Sequence, residues 1–179
     1  MKGNINKLAL VVIIVAIPML IAAATASAGL NYIKGTYALS GFTSCSVGGG
    51  PANASIEEAT YTFNKDGTGS AFGWVRGTAG QTDNMYITES FTYTVKNGDI
   101  EFQYPDPPGG IIAYTSDDKE TEILQWDAGP SHGVISPDGK TMIISCGAPK
   151  FLTVIASPLG PPVGTVGYCA ISLSGMRMN

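Results

Sequence analysis

The sequence contains few of the residues that carry out chemistry. It has a single histidine and three cysteines, and charged side chains make up 13% of it. It contains no Cys-x-x-Cys pair, no glycine-rich phosphate loop and no zinc-ligand spacing. We therefore expect a protein that is not an enzyme and needs no metal or cofactor. A hydrolase is the alternative, although the acid–base groups that hydrolases use are scarce here.

Basic residues are scarce as well. The chain has 10 Lys and Arg residues against 14 Asp and Glu residues, and Lys2 and Lys7 belong to the N-terminal segment described next. Without these two lysines the net charge is −6, and no basic stripe is present. An acidic surface of this kind argues against nucleic acid as a partner and against docking on anionic lipid.

The first 28 residues have the pattern of a secretory signal peptide. A basic start is followed by an uncharged, mostly apolar run over 8–24 and by the small residues Ala26, Ser27 and Ala28. We predict a signal-peptide helix over 1–28 that is removed on export.

The exported portion is then a single domain over 29–179, periplasmic or extracellular, with no stable membrane insertion after cleavage. An uncleaved membrane anchor is the competing interpretation, but the apolar run is short for a span and Pro18 interrupts it.

Three segments share one pattern, in which apolar residues at alternate positions lead into and out of a turn that contains glycine. The turns are Asp66-Gly67, Asn97-Gly98 and Asp138-Gly139. Each segment is typical of a β-hairpin with one apolar face.

The rest of the chain predicts further short strands, for nine or ten in all. We expect the first strand over Tyr32 to Leu39, a long glycine-rich loop over Ser40 to Ser55, and a short tail over Ser174 to Asn179 that frays. Consecutive hairpins favour an all-β antiparallel meander that closes into a barrel, and a β-sandwich is the alternative.

The cysteines are Cys45, Cys146 and Cys169. In an exported protein they predict one disulfide and one remaining, buried thiol, and three pairings are open. We favour Cys45 with Cys169, because closing a barrel places the first and last strands side by side.

The start of the predicted first strand, Gly35-Thr36-Tyr37, resembles the Gly-x-Trp signature with which lipocalins begin. The length, the antiparallel meander and a late disulfide are also similar to that superfamily of ligand-binding barrels. The resemblance implies a barrel that holds a small ligand, and a late basic residue that packs over the opening aromatic ring. Arg177 is the candidate for that residue, and we favour a tail position for it instead.

His132 is the candidate for acid–base chemistry. A Ser-His-Asp arrangement could combine it with Ser131 or Ser136 and with Asp127, but such a triad needs its nucleophile on a strained strand-to-helix turn, and no helix is predicted here. Its proline and glycine neighbours predict a histidine in a surface loop.

An acidic cluster, Asp117, Asp118, Glu120 and Glu122, is the candidate for calcium binding. It lacks the glycine of a calcium loop and has Lys119 in its middle, so a solvated hairpin tip is the better interpretation.

The aromatic residues are the remaining candidates, because they alternate along the predicted strands and are expected to share one face. They either fill the core or line a cavity for a small apolar or amphipathic ligand. We predict a non-enzymatic barrel that holds such a ligand; the alternative is a structural or interaction protein of the cell envelope or extracellular matrix, with a protein partner that the sequence does not identify. The candidate lining residues are Tyr61, Phe63, Phe72, Trp74, Phe91, Tyr93, Phe102, Tyr104 and Trp126.

Overall fold

The computed structural model describes residues 32–50, 52–77, 84–105, 110–145, 150–156 and 161–179. The predicted signal peptide and its cleavage site lie outside this part, and so does Cys146. All the regular structure described is β-strand, and the strands are β1 (Gly35–Val47), β2 (Asn53–Phe63), β3 (Thr68–Gly77), β4 (Asn84–Lys96), β5 (Asp99–Gln103), β6 (Ile111–Tyr114), β7 (Glu122–Ala128), β8 (Ser131–Ile135), β9 (Thr141–Ser145), β10 (Lys150–Ala156) and β11 (Val166–Arg177).

The strands form a closed antiparallel barrel. Eight of them follow the order β1-β2-β3-β4-β5-β8-β9-β11, and β11 pairs with β1 to close the ring. The prediction of an all-β barrel is confirmed, and the sandwich alternative is not what the chain forms. Closure leaves no free edge on these eight strands, so each can satisfy its backbone hydrogen bonds on both sides.

The remaining three strands complete a second ring beside the first. β4 pairs with β5 over residues 92–96 and with β6 over residues 86–89. β11 pairs with β9 over residues 172–176 and with β10 over residues 166–169. We call the ring that contains β5, β8 and β9 the lower ring, and the ring that contains β6, β7 and β10 the upper ring. Both share the five long strands β1, β2, β3, β4 and β11.

Each ring has its own apolar core. Among the described residues, 14 buried side chains form the lower core and 7 form the upper one. Tyr104 and Ile171 pack against both cores. The upper core consists of Ile111, Ala113, Leu124, Trp126, Ala128, Val154 and Cys169.

The three predicted hairpin turns are confirmed. Asn97 and Gly98 both have positive φ values, 55° and 88°, and they form a two-residue turn between Lys96 and Asp99. This is the conformation for which Asn-Gly is strongly preferred. Gly67 and Gly139 also adopt positive φ values at the other two turns.

The predicted loop over Ser40 to Ser55 is wrong, and so is the first-strand boundary at Leu39. β1 continues to Val47, and β2 already begins at Asn53. The segment stays extended because it pairs on both sides, with β2 and with β11. Its glycine content predicted a loop, but only Gly48 and Gly49 have the positive φ values of a turn.

Glycine within β1 and β11 serves close backbone approach instead. A Cβ atom on Gly41 would lie 1.9 Å from the carbonyl oxygen of Ser172, and one on Gly175 would lie 1.8 Å from that of Ala38. These two positions alternate along the β1–β11 pair, where Gly41 faces Leu173 and Leu39 faces Gly175. The missing side chains leave room for the neighbouring backbone at this pair.

The predicted fraying of the tail from Ser174 is also wrong. β11 continues to Arg177, because residues 172–176 pair with β9 and residues 167–177 pair with β1. The closure of the barrel therefore holds the C-terminal segment in place.

The favoured disulfide is confirmed. Cys45 and Cys169 face each other directly in the β1–β11 register, with their Cα atoms 4.1 Å apart, and they are bonded. The bond joins the first and last strands at the level of the upper ring, since Cys169 also pairs with Lys150 of β10.

Candidate functional site

Seven of the nine aromatic candidates lie inside the barrel. Trp126 belongs to the upper core, and Tyr104 lies between the two cores. Phe63 is 2% exposed and is surrounded by the rings of Tyr37, Phe91, Tyr93 and Phe102, with centroids 5.1–6.0 Å away. The lower-ring members are Tyr61, Phe63, Phe91, Tyr93 and Phe102.

The other two candidates, Phe72 and Trp74, do not share this face. Phe72 is 47% exposed, and the alternation of β3 buries Ala71 and Val75 instead. A two-residue turn at Asp66-Gly67 would have set Phe72 opposite Tyr61. The observed turn includes Lys65 as well, so Tyr61 pairs with Ala71 and each side chain of β3 changes face.

On the outside of the barrel these two residues form an aromatic cluster with β4. The ring centroids of Trp74 and Tyr86 are 5.4 Å apart, and those of Phe72 and Tyr86 are 6.4 Å apart. We call Phe72, Trp74 and Tyr86 the outer aromatic face. Phe42 and Ile56, which pair with each other and are 64% and 43% exposed, continue the apolar surface towards β1.

The charges on this face neutralise each other. Glu58 pairs directly with Trp74 across the strands, and its carboxylate lies 3.2 Å from the guanidinium of Arg76. Both side chains are more than half exposed, so the ion pair contributes little to stability. The neighbouring outward positions on β2 and β4 are Thr60, Asn84 and Thr88.

A second cluster, polar and interior, lies on the inner face of β1, β2 and β4. Glu57 is 6% exposed and accepts a hydrogen bond of 2.6 Å from the hydroxyl of Thr43. Tyr104 donates a hydrogen bond of 3.3 Å to the carboxylate of Glu89, to which Tyr61 is also hydrogen-bonded. Two carboxylates and two phenols thus share the inner wall.

The buried phenol of Tyr61 responds to these neighbours. Burial raises the pKa of Tyr61 well above its usual value, and the negative charges of Glu89 and Glu57 raise that pKa further. Tyr61 therefore remains neutral at physiological pH and acts as a hydrogen-bond donor to Glu89.

The sequence interpretation did not single out Glu57 and Glu89, although a signal was present. Glu57 stands two and four residues from Ala59 and Tyr61, and Glu89 stands two residues from Phe91. In a strand this spacing places all of them on one face. The period of two therefore already assigns both glutamates to the barrel interior.

The cavity beside this cluster is small. Ala59, Ala71 and Gly73 leave a space between Glu57 and Glu89, and its volume is about 10 Å³ for the centre of a water-sized sphere. That is room for about one water molecule. Of the predicted lining residues, Tyr61 and Phe72 border this space.

His132 lies in β8 and not in a loop, opposite Glu101 of β5 and Ser145 of β9, and its side chain is exposed. Its neighbour Ser131 points inward and is 2% exposed, with no hydrogen-bond partner for its hydroxyl among the described residues. Alternation along β8 therefore places Ser131 and His132 on opposite faces of the wall.

Three members of the acidic cluster, Asp117, Asp118 and Glu120, lie in the turn between β6 and β7, and Glu122 is the first residue of β7. The Asp118 carboxylate accepts hydrogen bonds from the Ser116 hydroxyl and the Glu120 backbone amide, and these bonds lower the pKa of Asp118. Within the described ranges, no group of three or more His, Cys, Asp or Glu residues is placed to hold a metal ion.

Arg177 does not belong to a loose tail. It is the last residue of β11 and pairs directly with Tyr37, whose hydroxyl donates a 2.7 Å hydrogen bond to the carbonyl of Gly139. The guanidinium covers Gly35, where a Cβ atom would lie 3.1 Å from its Nε atom. A basic residue at the end of the last strand thus lies beside the opening Gly-x-Tyr.

A comparison with known protein families, curated proteins and solved structures finds no match for this chain. The likeness to lipocalins is therefore one of architecture, an eight-stranded antiparallel closed barrel. Among the described residues there is no helix with the length and hydropathy needed to cross a membrane.

Proposed function

We propose that this protein is an exported, non-enzymatic barrel that acts through its outer aromatic face and binds a neutral polysaccharide of the cell envelope or extracellular matrix. One contrast supports this proposal. Phe63 and its aromatic neighbours are packed inside the barrel, whereas Phe72, Trp74 and Tyr86 lie on its outer side, where Phe72 is 47% exposed and the other two rings are partly exposed.

The chemistry of the face favours sugars. Aromatic rings offer large, rigid apolar contacts, and the C–H groups of a sugar ring pack against such a surface. Hydroxyl and amide side chains at Thr60, Thr88 and Asn84 can bond to sugar hydroxyls. Because Glu58 and Arg76 cancel, the face suits an uncharged polymer better than an anionic one.

Two observations support export. The Cys45–Cys169 disulfide is the kind of bond that forms and persists in an oxidising compartment. The segment over 1–28 has the composition of a signal peptide.

Affinity gel electrophoresis with soluble neutral polysaccharides tests the proposal. A β-glucan, a galactomannan and a dextran are compared with a gel that contains no polymer, and at least one should retard the protein. The double change Phe72→Ala and Trp74→Ala should abolish the retardation.

The matched control is the double change Val134→Ala and Ile143→Ala. These residues pair directly on β8 and β9, and each is 46% exposed, so the control removes a similar apolar pair from another wall. The proposal is wrong if no neutral polysaccharide retards the protein, or if both double variants are affected alike.

A small ligand held inside the barrel is the second candidate, and the cavity between Glu57 and Glu89 favours it. Its present size admits about one water molecule, so an amphipathic ligand would require the upper half of the barrel to open.

A Trp74→Phe variant leaves Trp126 as the tryptophan inside the barrel. If its fluorescence changes with fatty acids, haem or terpenoids, the interior candidate gains support. An unchanged signal, together with no copurified ligand by native mass spectrometry, removes it.

A further inference from the structure

The upper and lower rings are not stabilised equally by strand pairing and core packing. The upper ring is completed by β6, β7 and β10, and we call these three strands the flap. The flap has two boundaries. Its strand β6 pairs with residues 86–89 of β4, and its strand β10 pairs with residues 166–169 of β11.

Within the flap the strand register is irregular. It shifts between Ala113 and Tyr114 where β6 meets β7, and between Val154 and Ala156 where β7 meets β10. The corresponding pairs of the lower ring, β5–β8 and β8–β9, keep their register throughout. Each irregularity interrupts the ladder locally and bends the strand that carries it.

Among the side chains that the structure describes, 7 are buried in the core behind the flap and 14 in the lower core. Two of the flap's inward residues, Ala113 and Ala128, are alanines. Segments with few buried apolar contacts open at a lower free-energy cost than the rest of a protein.

Polar groups lie at the level where the rings meet. Glu89 is the last β4 residue that pairs with β6, and it accepts a hydrogen bond from Tyr104, just beyond β5. Ser131, with which β8 begins, has a buried hydroxyl without a partner in the described part of the chain. A polar layer thus lies between the two apolar cores, which still contact each other through Tyr104 and Ile171.

The frame around the flap is fixed. The Cys45–Cys169 disulfide ties β1 to β11 at the level where β10 pairs with β11, so the barrel cannot part between its first and last strands there. Gly129 and Pro130 alone join β7 to β8. Proline has no amide hydrogen, so this short connection adds little to the ladder between the rings.

From these features we propose that the flap opens as one unit while the five long strands and the lower ring stay closed. Opening exposes the inner side of Leu124 and Trp126 together with the wall that carries Glu57 and Glu89, and it provides a route into the interior. This inference goes beyond the proposed function and does not depend on it.

Native-state hydrogen exchange of the full exported chain, followed by mass spectrometry, tests the proposal. Peptides from the flap should exchange at least ~10-fold faster than peptides from β5, β8 and β9 at low denaturant. The proposal is wrong if both sets exchange at the same rate with the same denaturant dependence.

Two variants, each with an engineered disulfide (a staple) across one strand boundary, distinguish opening of the flap from opening of the whole barrel. Thr88 and Ile112 pair directly and outward across the β4–β6 boundary, and Thr94 and Glu101 do so across β4–β5. Both cysteine pairs are introduced into a Cys146→Ser background, and bond formation is confirmed by mass.

The Thr88→Cys, Ile112→Cys staple should slow exchange of the flap to the rate of the lower ring. The Thr94→Cys, Glu101→Cys staple should leave the flap rate unchanged. An equal effect of both staples on the flap would overturn the inference, because the barrel would then open as a whole.

Discussion

The lower and upper rings share five strands but are stabilised by different means. The lower ring has an aromatic core around Phe63 and regular strand pairing on both of its boundaries. The upper ring has half as many described core residues, two register shifts and a covalent bond, Cys45–Cys169. A barrel can therefore be closed at one level by packing and at another by a cross-link.

The largest expected effect comes from removing the centre of the lower core. Phe63→Ala should lower the free energy of unfolding by about 4 kcal/mol, because the ring is buried among four other aromatic rings. Leu124→Ala in the upper core should cost only about 2–3 kcal/mol, since the flap around it can relax. Urea denaturation of both variants, followed by circular dichroism, checks the difference. Equal losses of unfolding free energy would indicate that the two cores are equally well packed.

The disulfide is expected to have the next largest effect, and it acts on the upper ring. Replacing Cys45 and Cys169 by Ser should cost about 3–4 kcal/mol, because the bond closes a loop with a sequence separation of 124 residues. Thermal and urea unfolding measure the loss. The Cys146→Ser variant is the control, since it leaves the pair intact. If the double variant is as stable as this control, covalent closure is not what stabilises the upper ring.

The prediction of the Cys45–Cys169 disulfide shows which features can be inferred from a sequence of this kind. Barrel closure follows from alternating strands and hairpin turns, and it brings the first and last strands together. Closure favours the pairing of Cys45 with Cys169, although the predicted first strand ended at Leu39 and did not include Cys45. The prediction required no knowledge of individual registers.

At the first hairpin, between β2 and β3, the sequence did not specify the strand register. Whether Lys65 belongs to the turn decides which face Phe72 and Trp74 occupy, and Asp66-Gly67 is compatible with both arrangements. Propensity also failed for Ser40 to Ser55, because pairing on two sides keeps a glycine-containing strand extended. The composition of a segment gives no information on which distant strands will pair with it.

The interior glutamates allow a smaller test of the border between the rings. Glu57→Gln should lower the free energy of unfolding by about 1 kcal/mol at neutral pH, because a hydrogen bond from Thr43 to a charged carboxylate is stronger than one to a neutral amide oxygen. Glu58→Gln, on the outer face of the same strand, should change stability by less than about 0.5 kcal/mol. Urea denaturation of the two variants measures both changes. A gain of stability in Glu57→Gln would contradict this, because the buried charge would then be more destabilising than its hydrogen bonds are stabilising.

The smallest effect at neutral pH belongs to the buried phenols, and it grows only in alkali. Burial raises the pKa values of Tyr37, Tyr61 and Tyr93, and the unfolded chain releases these protons from about pH 10. A raised folded pKa means that the stabilisation is complete below the unfolded pKa and is lost as pH rises towards the folded one. Stability should therefore decline above about pH 10, and tyrosinate absorbance should appear together with unfolding. Tyr61→Phe should decline less steeply, because it removes a phenol whose pKa is raised by burial and by the charges of Glu89 and Glu57. The same slope in both proteins would assign alkaline unfolding to the other tyrosines of the lower core and not to the polar layer between the rings.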